Sequence, residues 1–334
     1  MAALSGYYAS QLRHELGMRN RRIAPGHAHV ESYGNPPVIV YEPDQGRHGN
    51  FFPPAYAALC ARHDWMRRFD KIHAQAARAL PKPALDPARR WRELDSSMSS
   101  DALLMNVFCT PGVRDSPAFR NALGVEPEAE PVFGWKARVP LANGRFDRTE
   151  VDMRLGCLLV EAKLTESDFQ TRSAPIVEAY RDFDEVFDRS LLPRAELPLS
   201  RPRRTSEFPE NYSQEFESVV TDPDSFSVVD SVVPALTEPA YAGYQLIRNV
   251  LAAYSAGCEF CVIHDERRPD LREDWFRVMA AVKSASMRVR LKVITWQELA
   301  AHLPDELQDF LDTKYGIAAP GKLASPVTEA IELD

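Results

Sequence analysis

The sequence predicts a mixed α/β fold, an α+β arrangement around one mixed sheet, and three observations lead to that reading. Between residues 132 and 163, three apolar runs are separated by the turn signals Asn143-Gly144 and Gly156, which is the pattern of an antiparallel meander. A helical pattern over 99–108 precedes the meander. After residue 241, helical and apolar runs alternate again. From residue 99 the predicted order is helix, three strands, an excursion, helix, strand, helix, strand, helix.

The segment before residue 50 mixes basic clusters (Arg19, Arg21, Arg22) with turn residues (Gly34, Asn35, Pro36, Pro37) and reads as an irregular entry. Residues 54–80 are Ala-rich and studded with Arg, and read as one helix punctuated by Pro81, Pro83 and Pro87. Its basic face (Arg62, Arg67, Arg68, Lys71, Arg78) suits either phosphate contacts or solvent. The helix over 99–108 begins at Ser99 or Ser100, either of which can cap it, and stops at Pro111-Gly112. The strands are expected at 132–141, 148–155 and 157–163. A further helix is expected at 174–187, inside a stretch from 164 to about 238 that becomes rich in Pro, Ser, Arg and acidic residues and reads as a long insertion. Then come a helix at 241–255, with Tyr244, Ile247, Val250, Leu251 and Tyr254 on one side, and a strand at 260–264. A helix at 274–284, a strand at 289–294 and a helix from 296 to 302 that continues toward 311 complete the order. Residues after 318 read as a loose tail.

The chain has 334 residues, enough for one enlarged domain or two. The expected division is a basic, partly helical extension over 1–92, a main domain over 93–318 and the tail over 319–334. The start lacks the basic flank and apolar run of a signal peptide, and no run approaches the ~20 apolar residues of a spanning helix, so a cytoplasmic protein without a membrane partner is expected. Five scattered cysteines argue against a secreted disulfide framework. Cys258 and Cys261 form one CxxC, but a zinc site needs a second ligand pair, so two cysteines packed at the start of a strand are expected.

The net charge of −8 is unevenly spread. Residues 1–92 hold 14 Lys and Arg against 7 Asp and Glu, while the remainder holds 26 against 41. Such a split means that the first part faces either a polyanion or the acidic remainder of its own chain.

The chemistry concentrates at Thr149-Glu150-Val151-Asp152-Met153-Arg154 and Leu158-Leu159-Val160-Glu161-Ala162-Lys163. Side chains alternate along a strand, so Glu161 and Lys163 share one face, opposite Leu158, Val160 and Ala162. A return through Gly156 brings Asp152 alongside them. Two carboxylates can hold a hard cation such as Mg²⁺, or Mn²⁺ in its place, through oxygen while leaving room for water and a phosphate oxygen. The cation polarises the phosphoryl group and acidifies the attacking water, and a lysine orients that water or offsets developing charge. Asp152 and Glu161 are therefore the expected ligands, with the carbonyl of Ala162 beside them, and Lys163 is the expected catalytic cation. The competing reading is an edge strand carrying a salt bridge, because short D…ExK matches arise by chance.

This pair of segments, TEVDMRL and CLLVEAKLTE, resembles the active-site hairpin of the PD-(D/E)XK, restriction-endonuclease-like superfamily. The stretches 99–108 and 244–249 are similar to those flanking the hairpin in a group of bacterial restriction-endonuclease-like proteins. The resemblance covers about residues 90–300. It implies an αβββαβ core, here with an N-terminal extension and a long insertion after the third strand. It further implies a Mg²⁺-dependent DNA endonuclease acting in restriction, defence or processing. Val151 stands where the superfamily often has proline, which leaves the ligands undisturbed. Many members also use an acidic residue from the first core helix; Glu93, Asp101 and Asn106 compete for that place, and the sequence does not choose.

On the later helix, Gln245, Arg248 and Asn249 form a polar stripe on an apolar element. Gln245 and Asn249 lie one turn apart, so both can point at the hairpin, with Gln245 the expected catalytic contributor, or they can simply cap or solvate the helix. Glu150 shares a face with Asp152, as an outer support of the site or as a surface ion-pair partner. The pair His27 and His29 reads as surface loop rather than a metal site, and Trp296 as a residue that seals the core. The expected partner is nucleic acid, DNA foremost. Strandedness, sequence specificity and oligomeric state are not legible, and a homodimer is left open. The alternative function is a nuclease-fold protein that binds nucleic acid or a partner without cutting.

Overall fold

A computed structural model describes residues 2–35, 37–73, 80–148, 150–198 and 237–326. Arg78, Thr149, most of the expected insertion (199–236) and the last part of the tail (327–334) lie outside the described residues.

The elements that place the hairpin are, in order, α1 (Ala2–Ile23), α2 (Pro53–Cys60), α3 (His63–Phe69), α4 (Ser100–Phe108), β1 (Pro131–Lys136), β2 (Glu150–Leu155), β3 (Leu158–Ala162), α5 (Tyr244–Ala256), β4 (Glu259–His264), α6 (Pro269–Ala280), β5 (Leu291–Thr295), α7 (Trp296–Ala300) and α8 (Asp305–Tyr315). The five strands form one mixed sheet in the order β5-β4-β3-β2-β1. The pairs β1–β2 and β2–β3 are antiparallel, whereas β3–β4 and β4–β5 are parallel. From α4 to β4 this is the helix, three strands, helix, strand order expected from the sequence, and the fold is mixed α/β of the restriction-endonuclease-like kind.

Strand β3 is buried along its whole length, which its unbroken apolar run anticipates, since a central strand is covered on both faces. On one face, Leu246, Ile247, Val250 and Leu251 of α5 pack with Leu159, Phe260, Val262 and Trp275. On the other, Leu103, Leu104, Val107 and Phe108 of α4 pack with Val160, Ala162, Ile263 and Trp296. Full burial of each Leu, Ile, Val or Phe among them is worth roughly 1.5–3 kcal/mol, so the two layers hold the hairpin between helices. Helix α4 starts where expected: the Ser99 hydroxyl accepts the Ala102 N–H at 3.2 Å. Helix α5 stops at Gly257, whose φ of 65° closes the last turn.

Several elements differ from expectation. The first part of the entry segment is a 22-residue helix, α1, rather than irregular, while the described residues from 24 to 50 form short strands and turns. Its buried positions Ala9, Leu12, Leu16, Arg19 and Asn20 recur at helical spacing, but the last two are polar, which hides the period. Among the described residues the helix expected over 54–80 is interrupted between α2 and α3, where Arg62 is extended (φ −118°, ψ 114°). The expected helix at 174–187 is two single turns, Ala174–Val177 and Phe183–Val186, because the chain between them pairs with residues 140–142: Ala142 N–H donates to Ala179 O and Arg181 N–H to Pro140 O. Flanking segments of the expected insertion form a second, three-stranded antiparallel sheet ordered Thr171–Ser173, Thr237–Ala242, Arg194–Pro198. The strand expected over 132–141 ends at Lys136, and Val139–Pro140 pairs instead with Phe146–Asp147. The last helix is broken between α7 and α8, at Leu303-Pro304.

Of the basic face over 62–71, Arg68 is buried, Arg62 and Lys71 are half-buried in ion pairs, and Arg67 is exposed. Arg62 pairs with Asp64 and Glu130, Arg68 with Asp101, and Lys71 with Glu150 and Glu93. Arg62, Arg68 and Lys71 thus find acidic partners within the chain. The two cysteines of the CxxC part company: Cys258 lies 3.2 Å from Cys157, Sγ to Sγ, while Cys261 is buried on the other side of the sheet. Among the described residues no helix is long and apolar enough to cross a membrane.

Candidate functional site

The β2–β3 register pairs Met153 with Val160, so one step further Asp152 comes opposite Glu161. On the other side β2 pairs with β1, and the same counting places Gly134 opposite Asp152. Gly134 has φ 62°, a conformation that other residues rarely adopt, and a Cβ there would lie 3.4 Å from Arg68 Cδ. The Ala162 N–H donates to Asp152 Oδ2 at 2.8 Å, joining the strands at the point where their carboxylates meet.

Both oxygens of the buried Glu161 carboxylate are held. Lys163 Nζ lies 2.8 Å from Oε1, and Asn249 Nδ2 donates to Oε2 at 2.7 Å. Arg248 in turn donates to Asn249 Oδ1 through Nε (3.0 Å) and Nη2 (2.8 Å), and Nη2 also reaches the Glu150 carbonyl at 2.9 Å. Behind Lys163, its N–H donates to Ile263 O at 2.8 Å, and its carbonyl accepts from Trp296 Nε1 at 3.0 Å. Trp296 therefore seals the core and anchors the backbone of the lysine as well.

More charge surrounds this centre. Asp101, on the first turn of α4, binds the buried Arg68 from outside the core, and Arg68 Nη1 lies 3.6 Å from Glu93 and 3.7 Å from Glu150. Of the three candidates from the first core helix region, Asp101 is among the charges that push the pKa of Asp152 up. Asn106 is buried elsewhere, accepting Phe52 N–H and donating to Asn50 O. Glu150 serves as an ion-pair partner of Lys71, whose hydrogen bond lowers its pKa against the opposing effect of burial. Glu166 fastens the turn after β3 to α4, accepting Ser100 Oγ at 2.5 Å and Leu164 N–H at 2.7 Å.

Burial raises the pKa of Asp152 well above the usual carboxylate range, and the charges of Glu161 and Asp101 push it further, with Lys163 opposing. Burial works against the Lys163 ammonium, but Glu161, Glu166 and Asp152 outweigh it and raise its pKa. Among the described residues no three His, Cys, Asp or Glu side chains gather as a metal cluster. A cation here would instead rest on two carboxylates that repel each other, completed by carbonyl or amide oxygens and water. Gln245, in the first turn of α5, offers one such atom, since its buried Oε1 has no partner among the described residues. Its backbone N–H donates to Phe169 O, and the Phe169 ring lies 5.5 Å from Lys163 Nζ, which places this end of the helix beside the lysine. The donor set, all oxygen and partly buried, fits a hard divalent cation.

Asp152, Glu161, Ala162 and Lys163 are thus brought together. Gln245 is joined to them only indirectly, through its backbone bond to Phe169, and the amide that contacts Glu161 is that of Asn249, one turn later. The polar stripe was the available signal for Asn249, and nothing in the sequence ranks it above Gln245. Glu166 and Arg68 were also missed as neighbours of the site. His27 and His29 flank Tyr41 instead, with His29 Nδ1 against the His27 carbonyl at 2.9 Å.

Residues 19–316 match the model of the family described as restriction endonuclease associating with ARP. No curated protein and no solved structure matches the chain.

Proposed function

The chain belongs to the restriction endonuclease associating with ARP family, and from that premise we propose that it is a Mg²⁺-dependent nuclease of the PD-(D/E)XK kind that hydrolyses phosphodiester bonds in DNA. One observation carries the reading: Asp152 and Glu161 face each other on adjacent antiparallel strands, with the Lys163 ammonium 2.8 Å from Glu161. Bound at the two carboxylates, Mg²⁺ or Mn²⁺ would polarise the phosphoryl group and lower the pKa of a bound water. The chain supplies the rest. Asp152 and Glu161 carry the ligating oxygens, with the Ala162 carbonyl between Glu161 and Lys163. Lys163 is a fixed positive charge beside them, placed to orient water or offset charge that builds on the phosphate. Gln245 Oε1, unpartnered among the described residues, is a candidate acceptor for a water or a metal-bound group. The family description also names ARP, and association with such a partner is part of this proposal.

The test is incubation of the full chain with supercoiled plasmid, linear duplex, single-stranded DNA and RNA, with Mg²⁺ or Mn²⁺ and with a chelator. Metal-dependent cutting of DNA that the chelator abolishes is the expected result. Binding without cutting of any substrate would favour the reading in which the fold recognises nucleic acid or a partner only.

A further inference from the structure

Asn249 meets Glu161 through an amide whose orientation is not self-determined. An amide presents an acceptor on one side and donors on the other, and a half-turn exchanges them. In the structure the acceptor, Oδ1, faces two N–H groups of Arg248, leaving Nδ2 to face Glu161 Oε2. The opposite orientation would set donors against the guanidinium and an oxygen against a carboxylate, and both contacts would be repulsive. Arg248 thereby decides which face of Asn249 the carboxylate meets.

Arg248 is held firmly enough to do this. It is 4 % exposed and its Nη2 also donates to the Glu150 carbonyl, two residues before Asp152 on β2. One guanidinium thus ties α5 to the strand of Asp152 and, through Asn249, to the carboxylate of Glu161 on β3. Side chains that orient a ligand without touching the metal commonly matter in this way.

We propose that Arg248 is a positioning residue for the cation site, acting through the Asn249 amide to hold Glu161 in its ligating orientation. The inference rests on the metal reading above. Without the pair, Glu161 keeps only the Lys163 contact and can turn wholly toward that ammonium, away from Asp152.

The experiment is calorimetric titration of the DNA-free protein with Mn²⁺, for wild type, Arg248→Met, Asn249→Leu and the double variant, with melting of each metal-free protein alongside. Arg248→Met and Asn249→Leu are each expected to weaken Mn²⁺ binding roughly 10–100-fold. The double variant should be no weaker than Asn249→Leu, because the arginine acts through the amide. Should Arg248→Met fail to fold, Arg248→Lys, which keeps the charge but loses the two-pronged contact, is read in its place and should show a smaller loss. Wild-type affinity in a folded Arg248 variant, or fully additive losses in the double variant, would overturn the proposal while leaving the metal reading intact. Absence of Mn²⁺ binding by wild type would overturn both.

Discussion

Asp152 accepts the backbone N–H of Ala162 at 2.8 Å while standing opposite Glu161 across the hairpin, so the contact that locks the strands also forces two carboxylates together. The folded protein therefore raises the pKa of Asp152 well above its unfolded value near 3.8. Above 3.8 the folded chain holds a proton that the unfolded chain has released, so this group's contribution to stability is lost as pH rises through the folded pKa. Asp152→Asn, which keeps an acceptor for Ala162, is expected to melt higher than wild type in the metal-free state at neutral pH. The gap should close as the pH is lowered toward 3.8, and Mn²⁺ should stabilise wild type but not the variant. Equal melting at neutral pH would show that the two carboxylates are not in conflict.

Lys163→Ala leaves both carboxylates and Asn249 in place. Mn²⁺ and DNA should still bind, while the cleavage rate falls by roughly two to three orders of magnitude for want of one fixed charge. Single-turnover cleavage measures this, and a variant that cuts as fast as wild type would remove Lys163 from the chemistry.

Arg68 is buried against Asp101, with Glu93 and Glu150 beside it. Arg68→Met strands the Asp101 carboxylate among like charges and is expected to cost about 3 kcal/mol, the low end for a broken buried pair because Asp101 keeps some solvent. The double variant Arg68→Met, Asp101→Asn should recover most of that loss in urea unfolding. Losses that simply add would mean that the two side chains do not depend on each other.

Lys314 is fully buried with no ion pair to a carboxylate among the described residues, its Nζ bonded to Asn20 Oδ1 (2.6 Å) and Gly49 O (3.1 Å). Burial pushes its pKa well below the ordinary 10.5. Between the folded value and 10.5 the unfolded chain holds a proton that the folded chain lacks, so stability contributed at this position rises with pH. The unfolding free energy of wild type relative to Lys314→Met should therefore increase through the alkaline range up to about 10.5. A difference that stays flat with pH would place an ordinary charged lysine in the folded protein.

Local signals made the centre of this molecule legible. The capped helix at 99–108, the turn at Gly156 and the i, i+2 spacing of Glu161 and Lys163 are short-range features, and a strand's alternation alone puts those two charges on one face. The tertiary structure decided everything that depends on partners distant in sequence. Helix α1 was hidden because its inner face carries Arg19 and Asn20, whose partners are the backbone of Asp312 and the Lys314 ammonium, near the other end of the chain. The basic stretch 62–71 suited phosphate contacts or solvent until folding set Arg68 on Asp101 and Lys71 on Glu150. Likewise the polar stripe of α5 named three residues, but only the rotation of that helix against the sheet selects which amide meets Glu161. Periodicity reports which face of an element is buried; which polar group then lies within 3 Å of another is a property of packing, and no local pattern encodes it.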